Sequence, residues 1–272
     1  MNYFELKKRA LLSSTNVFWL PTGVPRDAVL AAYRFKGVSS EAFALQDLSS
    51  KRNGLIKYSQ SYNGVTYTPT WDSASGFTFD TVYQGRSGYL DNPALDQSDI
   101  KAAVVCYTGL TQTNRGYLMT AGGASGRAFL FGASTVLTYG TIDEDGYQGV
   151  EVTDYGGPGY VTSPWASWTW VGTVAYTTAA KTSGVVGANF GSNGGLYLDG
   201  TAAATSSTAD GHAFTDVGLG GNQGKTFGNS HSDKSDLNNA VHAGKTIIAA
   251  AFFGVELTAD QHLEIATAML AL

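Results

Sequence analysis

The chain has 272 residues, of which 43% are hydrophobic and 14% charged, and 17 basic against 22 acidic side chains leave a formal net charge of -5. Its longest basic run is Lys7, Lys8 and Arg9, short of the concentrated cationic field that phosphate binding needs, so nucleic acid is not expected as a partner. No segment approaches the roughly 18 consecutive apolar residues of a membrane-spanning helix.

The first 14 residues read as a short amphipathic helix. Tyr3, Leu6 and Ala10 share a face, Phe4 and Leu11 lie beside it, and Lys7, Lys8 and Arg9 fall largely on the other side. A helix this short is marginal in water by itself. Residues 1–27 are therefore expected to form an attachment or oligomerisation segment, with Trp19 as an anchor in the apolar connector Asn16–Pro25. A homo-oligomer, such as a trimer, is the expected assembly. The opening residues also lack the pattern of a secretory leader.

From Ala28 onward, short strands alternate with turns. Period-two patterns or short apolar runs mark Val65–Thr70, Gly76–Tyr83, Lys101–Thr108, Gly116–Thr120, Ala128–Gly132 and Ser134–Tyr139. Pairs such as Asn53-Gly54, Asn63-Gly64 and Asp199-Gly200 supply the positive φ of hairpin turns, and the 34 glycines fit an all-β chain. The single cysteine, Cys106, lies in the run AAVVCY and reads as a small core hydrophobe; one cysteine allows no internal disulfide. Lys245–Phe253 (KTIIAAAFF) is predicted to be a strand buried on both faces. A short helix should follow it, with Thr258 and Gln261 forming a capping box and Asp260 in the first turn. Leu263, Ala266 and Leu270 share one of its faces, with Ile265 and Met269 alongside, and the helix is expected to pack on the same sheet.

Three features could carry chemistry. Tyr147, Tyr155, Tyr160 and Trp165 are crowded among Gly, Pro and Ser, where loop aromatics can stack on sugar rings. Trp168 and Trp170 share strand parity with Val174 and Tyr176, and that set is expected to face the core. Asp143, Asp145 and Asp154 are oxygen ligands close enough in sequence for a Ca²⁺ loop, the alternative being ordinary turn aspartates. The four histidines, His212, His231, His242 and His262, show no metal-ligand spacing.

Five landmarks in order resemble laminin-G-like (concanavalin A-like) domains across roughly residues 28–272. They are AAYRFK (31–36) with DLSSKRNG (47–54), GFTFD (76–80) with GYLDNPAL (88–95), IKAAVVCY (100–107), GLYLDG (195–200) with DVGLGG (216–221), and the closing GVELTADQ (254–261). The resemblance implies an antiparallel jelly-roll β-sandwich, here with a short N-terminal and a short C-terminal helix. Glucanases of that superfamily place their carboxylates in an E-x-D-x-E strand. The nearest approach here, Asp143-Glu144-Asp145, precedes a turn glycine and leaves both Glu positions of the pattern unmatched. The function implied is therefore non-enzymatic. Overall the chain resembles lectin-domain proteins of phage virions, which implies a virion-associated adhesion protein that binds host-surface carbohydrate and is held to other virion proteins by its N-terminal segment. A purely structural decoration subunit and a glycan-active hydrolase are the alternatives.

Overall fold

The computed structural model describes residues 20–62, 64–79, 88–95, 99–109, 116–121, 127–134, 147–154, 171–177, 183–189, 195–202, 225–227 and 245–272. The expected N-terminal helix, with Tyr3, Phe4, Leu6, Leu11 and Trp19, lies outside them. In chain order the strands are β1 (Val29–Arg34), β2 (Ile56–Tyr58), β3 (Gln60–Tyr62), β4 (Val65–Tyr67), β5 (Thr70–Asp72), β6 (Gly76–Phe79), β7 (Tyr89–Asn92), β8 (Ala102–Thr108) and β9 (Gly116–Ala121). They continue with β10 (Arg127–Ser134), β11 (Tyr147–Asp154), β12 (Val171–Thr177), β13 (Gly184–Asn189), β14 (Gly195–Leu198), β15 (Thr201–Ala202), β16 (Lys225–Phe227) and β17 (Lys245–Phe253). The helices are α1 (Glu41–Ala44) and α2 (Ala259–Leu270).

These strands form an antiparallel β-sandwich. Sheet A runs β15-β14-β13-β8-β17-β6-β5, with β1 pairing the second half of β17, and sheet B runs β12-β11-β10-β9-β16-β7-β2. The run read as one strand over Val65–Thr70 is divided between β4 and β5. Pro69 lies between them and has no N–H to offer a ladder. The β3–β4 pairing brackets the Asn63-Gly64 turn, and Asp199 (φ 49°) with Gly200 (φ 80°) closes the β14–β15 hairpin as the sequence predicts.

Sheet A is covered on both faces. Along β8, Ala103, Val105 and Tyr107 join one buried cluster, which includes Phe77, Phe79 and Phe252 of sheet A and Leu90 of sheet B. The alternate residues Ala102, Val104 and Cys106 join a second cluster with Ile265, Ala266 and Met269 of α2. A central strand buried on both sides needs apolar residues at every position, which is why AAVVCY and KTIIAAAFF show no polar alternation. Cys106 is indeed a core residue, its thiol pushed up to about 12 by burial.

Residues 20–27, read above as part of the attachment segment, are seated on this same side. Val24 and Leu20 pack in the second cluster, and the Thr22 N–H and hydroxyl donate to the Glu264 carboxylate at 2.8 and 3.0 Å. The Gln261 amide in turn donates to the Thr22 carbonyl at 3.0 Å.

A buried carboxylate organises the opening turn. Asp47 Oδ1 accepts from the Ala32 and Ser49 N–H groups, and Oδ2 accepts from the Ser49 hydroxyl and the Asn53 N–H, all at 2.7–2.9 Å. Tyr33, from the neighbouring position of β1, donates to the Asn53 carbonyl at 2.8 Å and accepts from the Asn92 amide at 2.5 Å. The Asp-Ser-rich turn is thereby tied to β1 and β7.

Helix α2 begins with the expected capping box: the Thr258 hydroxyl accepts from the Gln261 N–H, and the Gln261 side chain accepts from the Thr258 N–H. Its buried face differs from the expected one. His262, Ile265, Ala266 and Met269 are buried, whereas Leu263 and Leu270 are 49% and 53% exposed. Apolar character alone favours the leucines, but His262 finds partners that none of them could use. Its ring stacks on Tyr197 with centroids 3.8 Å apart, and its Nε2 lies 3.1 Å from Asn189 Oδ1. The Asn189 amide grips the Leu257 backbone through both its atoms, so its Oδ1 is the acceptor and His262 Nε2 donates. Two glycines permit this approach. A Cβ on Gly187 would stand 2.7 Å from His262 Nδ1, and one on Gly200 2.4 Å from the Leu263 Cα.

His262 Nδ1 is buried with no hydrogen-bond partner, and burial pushes the imidazole down to about 3. The unfolded chain takes up this proton below about pH 6.5 and the folded chain only near pH 3. The contribution is therefore complete above about pH 6.5 and is lost as the pH falls, by at most about 1.4 kcal/mol per pH unit. Denaturant titrations from pH 7 to 4 should show a steeper loss of stability for wild type than for His262→Gln; parallel curves would refute the assignment.

Candidate functional site

Sheet B covers the middle of sheet A on one side and α2 covers it on the other, while β5 and β15 at its edges stay largely exposed. On the outer face of sheet B, Ile56 of β2 is 45% exposed, whereas Tyr89 and Asp91 of β7 are each 3% exposed. Backbone register identifies the residues of that face. Leu90 belongs to the buried cluster between the sheets, and its row of cross-strand partners runs through Phe227, Met119, Phe131 and Val150 to Ala175. Directly opposed residues share a face, so this is the inner row. The neighbouring row crosses all seven strands as Ile56, Asp91, Thr226, Thr120, Leu130, Glu151 and Val174, and by the period of two it belongs to the outer face.

One step further along, Tyr117, Gly132, Gly149 and Tyr176 form another outer row over β9 to β12. At its β9 end the register slips between Phe131 and Gly132, so Leu118 is an extra residue on that strand. Such a bulge bends and twists a sheet and re-aims its residues, and it keeps Tyr117 opposite Gly132. Tyr147, paired with Ser134, is also of outer parity and lies diagonal to Tyr176. Diagonal neighbours on one face lie about 7–8 Å apart, within reach of aromatic side chains. Two positions without side chains are thus bracketed by three tyrosine positions.

Val174 and Tyr176 were expected to face the core with Trp168 and Trp170. Register puts Val174 and Tyr176 in outer rows and Val171, Thr173, Ala175 and Thr177 at the inner parity. Parity within a single strand identifies two faces but not which meets the inter-sheet core; the register that links β12 to Leu90, a member of that core, relates the two. Trp168 and Trp170 lie outside the described residues, as do Tyr155, Tyr160, Trp165, Asp143 and Asp145. Of the residues read as ligand-binding, Tyr147 is the one placed, at the start of β11. Tyr117 and Tyr176 were missed, because nothing local distinguishes them from core tyrosines; the glycines opposite them in neighbouring strands are the signal, and it becomes visible once the strands are paired.

Asp154 ends β11, with Arg127 directly opposite it in the β10 register. Among the described residues no group of three His, Cys, Asp or Glu is arranged to hold a metal ion. The row through Ile56 and Val174 holds two carboxylate residues, Glu151 and the buried Asp91, four strand spacings apart. At about 4.8 Å per spacing they stand about 19 Å apart. Glycosidases hold their two carboxyl groups about 5–9.5 Å apart, so this pair cannot flank a glycosidic bond. Among the described residues, the groups whose ionisation is displaced, Tyr33, Cys106, Tyr197 and His262, owe it first to burial, and all four belong to sheet A or the helix upon it.

No family model and no curated protein matches the chain. Among solved structures it is similar to the CBM40 module of the Ruminococcus gnavus IT-sialidase bound to α2,3-sialyllactose, with a TM-score of 0.42 and 14% identity over 69% of this chain and 96% of that one. The binding domain of a botulinum neurotoxin of serotype D/C gives 0.48 and 8% over 90% of this chain and 53% of that one, so the chain spans about half its length. Domain 4 of an extracellular arabinanase from Geobacillus stearothermophilus, in complex with arabinotriose, gives 0.44 and 13% over 88% and 98%. At these values no residue and no ligand is carried over from them.

Proposed function

We propose that this chain is a non-enzymatic carbohydrate-binding sandwich that receives its ligand on the outer face of sheet B. The observation that carries the reading is the row Tyr117–Gly132–Gly149–Tyr176, with Tyr147 diagonal to it. Sugar rings present flat C–H faces that stack on aromatic rings, and their rims of hydroxyls need donors and acceptors. Glycines between aromatic positions leave a floor on which a ring can lie close to the backbone. Thr120, Glu151 and Thr226, on the next outer row, offer hydrogen-bonding groups beside it. The covered faces of sheet A favour this location over the opposite side of the sandwich.

The finer setting in this proposal is a virion-associated adhesin or decoration protein held to a particle by its first residues. It rests on the sequence resemblance to lectin-domain virion proteins alone. Homo-oligomerisation and a loop Ca²⁺ at Asp143, Asp145 and Asp154 belong to the same tier.

A glycan-array screen of the full chain, with and without calcium, followed by calorimetry on any hit, tests the binding function. Tyr176→Ala and Tyr147→Ala should each weaken binding by about tenfold or more, equivalent to about 1.4 kcal/mol, with the circular dichroism spectrum unchanged. Gly149→Leu should block it by filling the floor. If all three variants bind as wild type does, the site is elsewhere; if wild type binds nothing on the array, the decoration-subunit reading takes its place.

A further inference from the structure

Helix α2 carries an exposed apolar stripe. Leu263 and Leu270, seven residues and about two turns apart, share it and are 49% and 53% exposed. The exposed Thr267 stands between them, and its hydroxyl donates to the Leu263 carbonyl at 2.7 Å, so its polar atom is already engaged within the helix. Asp260 and Glu264 are exposed alongside, and residues 254–272 contain no Lys or Arg. The start of the chain is joined to the fold at this same helix. Thr22 is bonded to Gln261 and Glu264, and Leu20 packs in the cluster beneath α2. Residues 15–19, at about 3.3–3.6 Å each when extended, span roughly 17 Å, whereas a helix with its side chains is about 10–12 Å across. Residues 1–14 are therefore within reach of the stripe.

We infer that residues 1–14 dock as an amphipathic helix on α2 of their own chain, laying Tyr3, Leu6 and Ala10 along the Leu263–Leu270 stripe. The inference goes beyond the carbohydrate-binding reading and does not rest on it. Position, pattern and charge all choose this occupant. A short tether holds the segment beside α2 at an effective concentration in roughly the millimolar range, ahead of a partner in free solution. Tyr3 and Ala10 are seven residues apart, as Leu263 and Leu270 are, and Phe4 and Leu11 repeat the interval, so the two stripes share one helical spacing. Lys7, Lys8 and Arg9 outnumber Glu5 in the segment and meet a helix that carries Asp260 and Glu264 without Lys or Arg. Each stripe covers apolar surface that the other would leave in water, and a helix too short to be stable alone gains the packing it lacks.

Disulfide trapping in the full chain tests the contact. Ala10→Cys is paired with Thr267→Cys, which leaves both leucines in place, or with Ile56→Cys on β2, an exposed site of sheet B across the inter-sheet core from α2. Cys106 is buried and serves neither pair. Under mild oxidation the Ala10→Cys/Thr267→Cys chain should close an internal disulfide, seen as a faster-migrating monomer on a non-reducing gel. Closure should be at least tenfold faster than in the Ile56→Cys control and independent of protein concentration. Adding Leu263→Asp and Leu270→Asp should bring that rate down to the control's. Equal rates for the two pairs would overturn the inference. Disulfide-linked dimers whose yield rises with concentration would assign the stripe to a second copy and overturn it as well. Because the two pairs are compared with both leucines present, the result stands even where the aspartate variant does not fold.

Discussion

The double burial of sheet A is the constraint on which the rest of this structure depends. Strands β8 and β17 lie at its middle, and their residues alternate between the inter-sheet core and the layer beneath α2. Neither face can lose its cover without exposing a continuous apolar surface. Burying a single Val, Ile or Phe side chain is worth about 1.5–3 kcal/mol, so the two clusters dominate the favourable side of folding. The helix is therefore part of the core, held by its cap, by the His262–Asn189 hydrogen bond and by the Thr22–Glu264 contact.

Much of the fold was legible in the sequence where local chemistry decides the outcome. Lys245–Phe253 has a continuous apolar text because both its faces are buried, and the Thr258/Gln261 cap is a purely local hydrogen-bonding pattern. Asp199-Gly200 makes its turn because both residues tolerate positive φ. What could not be read depends on partners far away in sequence. The buried face of α2 is set by Asn189 and Tyr197, some 70 residues earlier, and so a histidine displaced the leucines that hydropathy favours. The parity of β12 is likewise set by a chain of pairings that reaches β7.

The candidate site shows the same division. Tyr147 could be singled out by its crowding among other aromatics. Tyr117 and Tyr176 gain meaning because Gly132 and Gly149 lie between them across strands.

Thiol accessibility in the native protein tests the central claim of the proposal, that the outer face of sheet B is open at Gly149 of β11. Cys106, buried in the layer under α2, provides the internal reference. In a Gly149→Cys variant the new thiol should react with a thiol reagent at close to the rate of a model peptide, while Cys106 stays protected until the chain unfolds. A Gly149→Cys thiol as protected as Cys106, in a variant of wild-type stability, would show that the outer face is covered and would contradict the account.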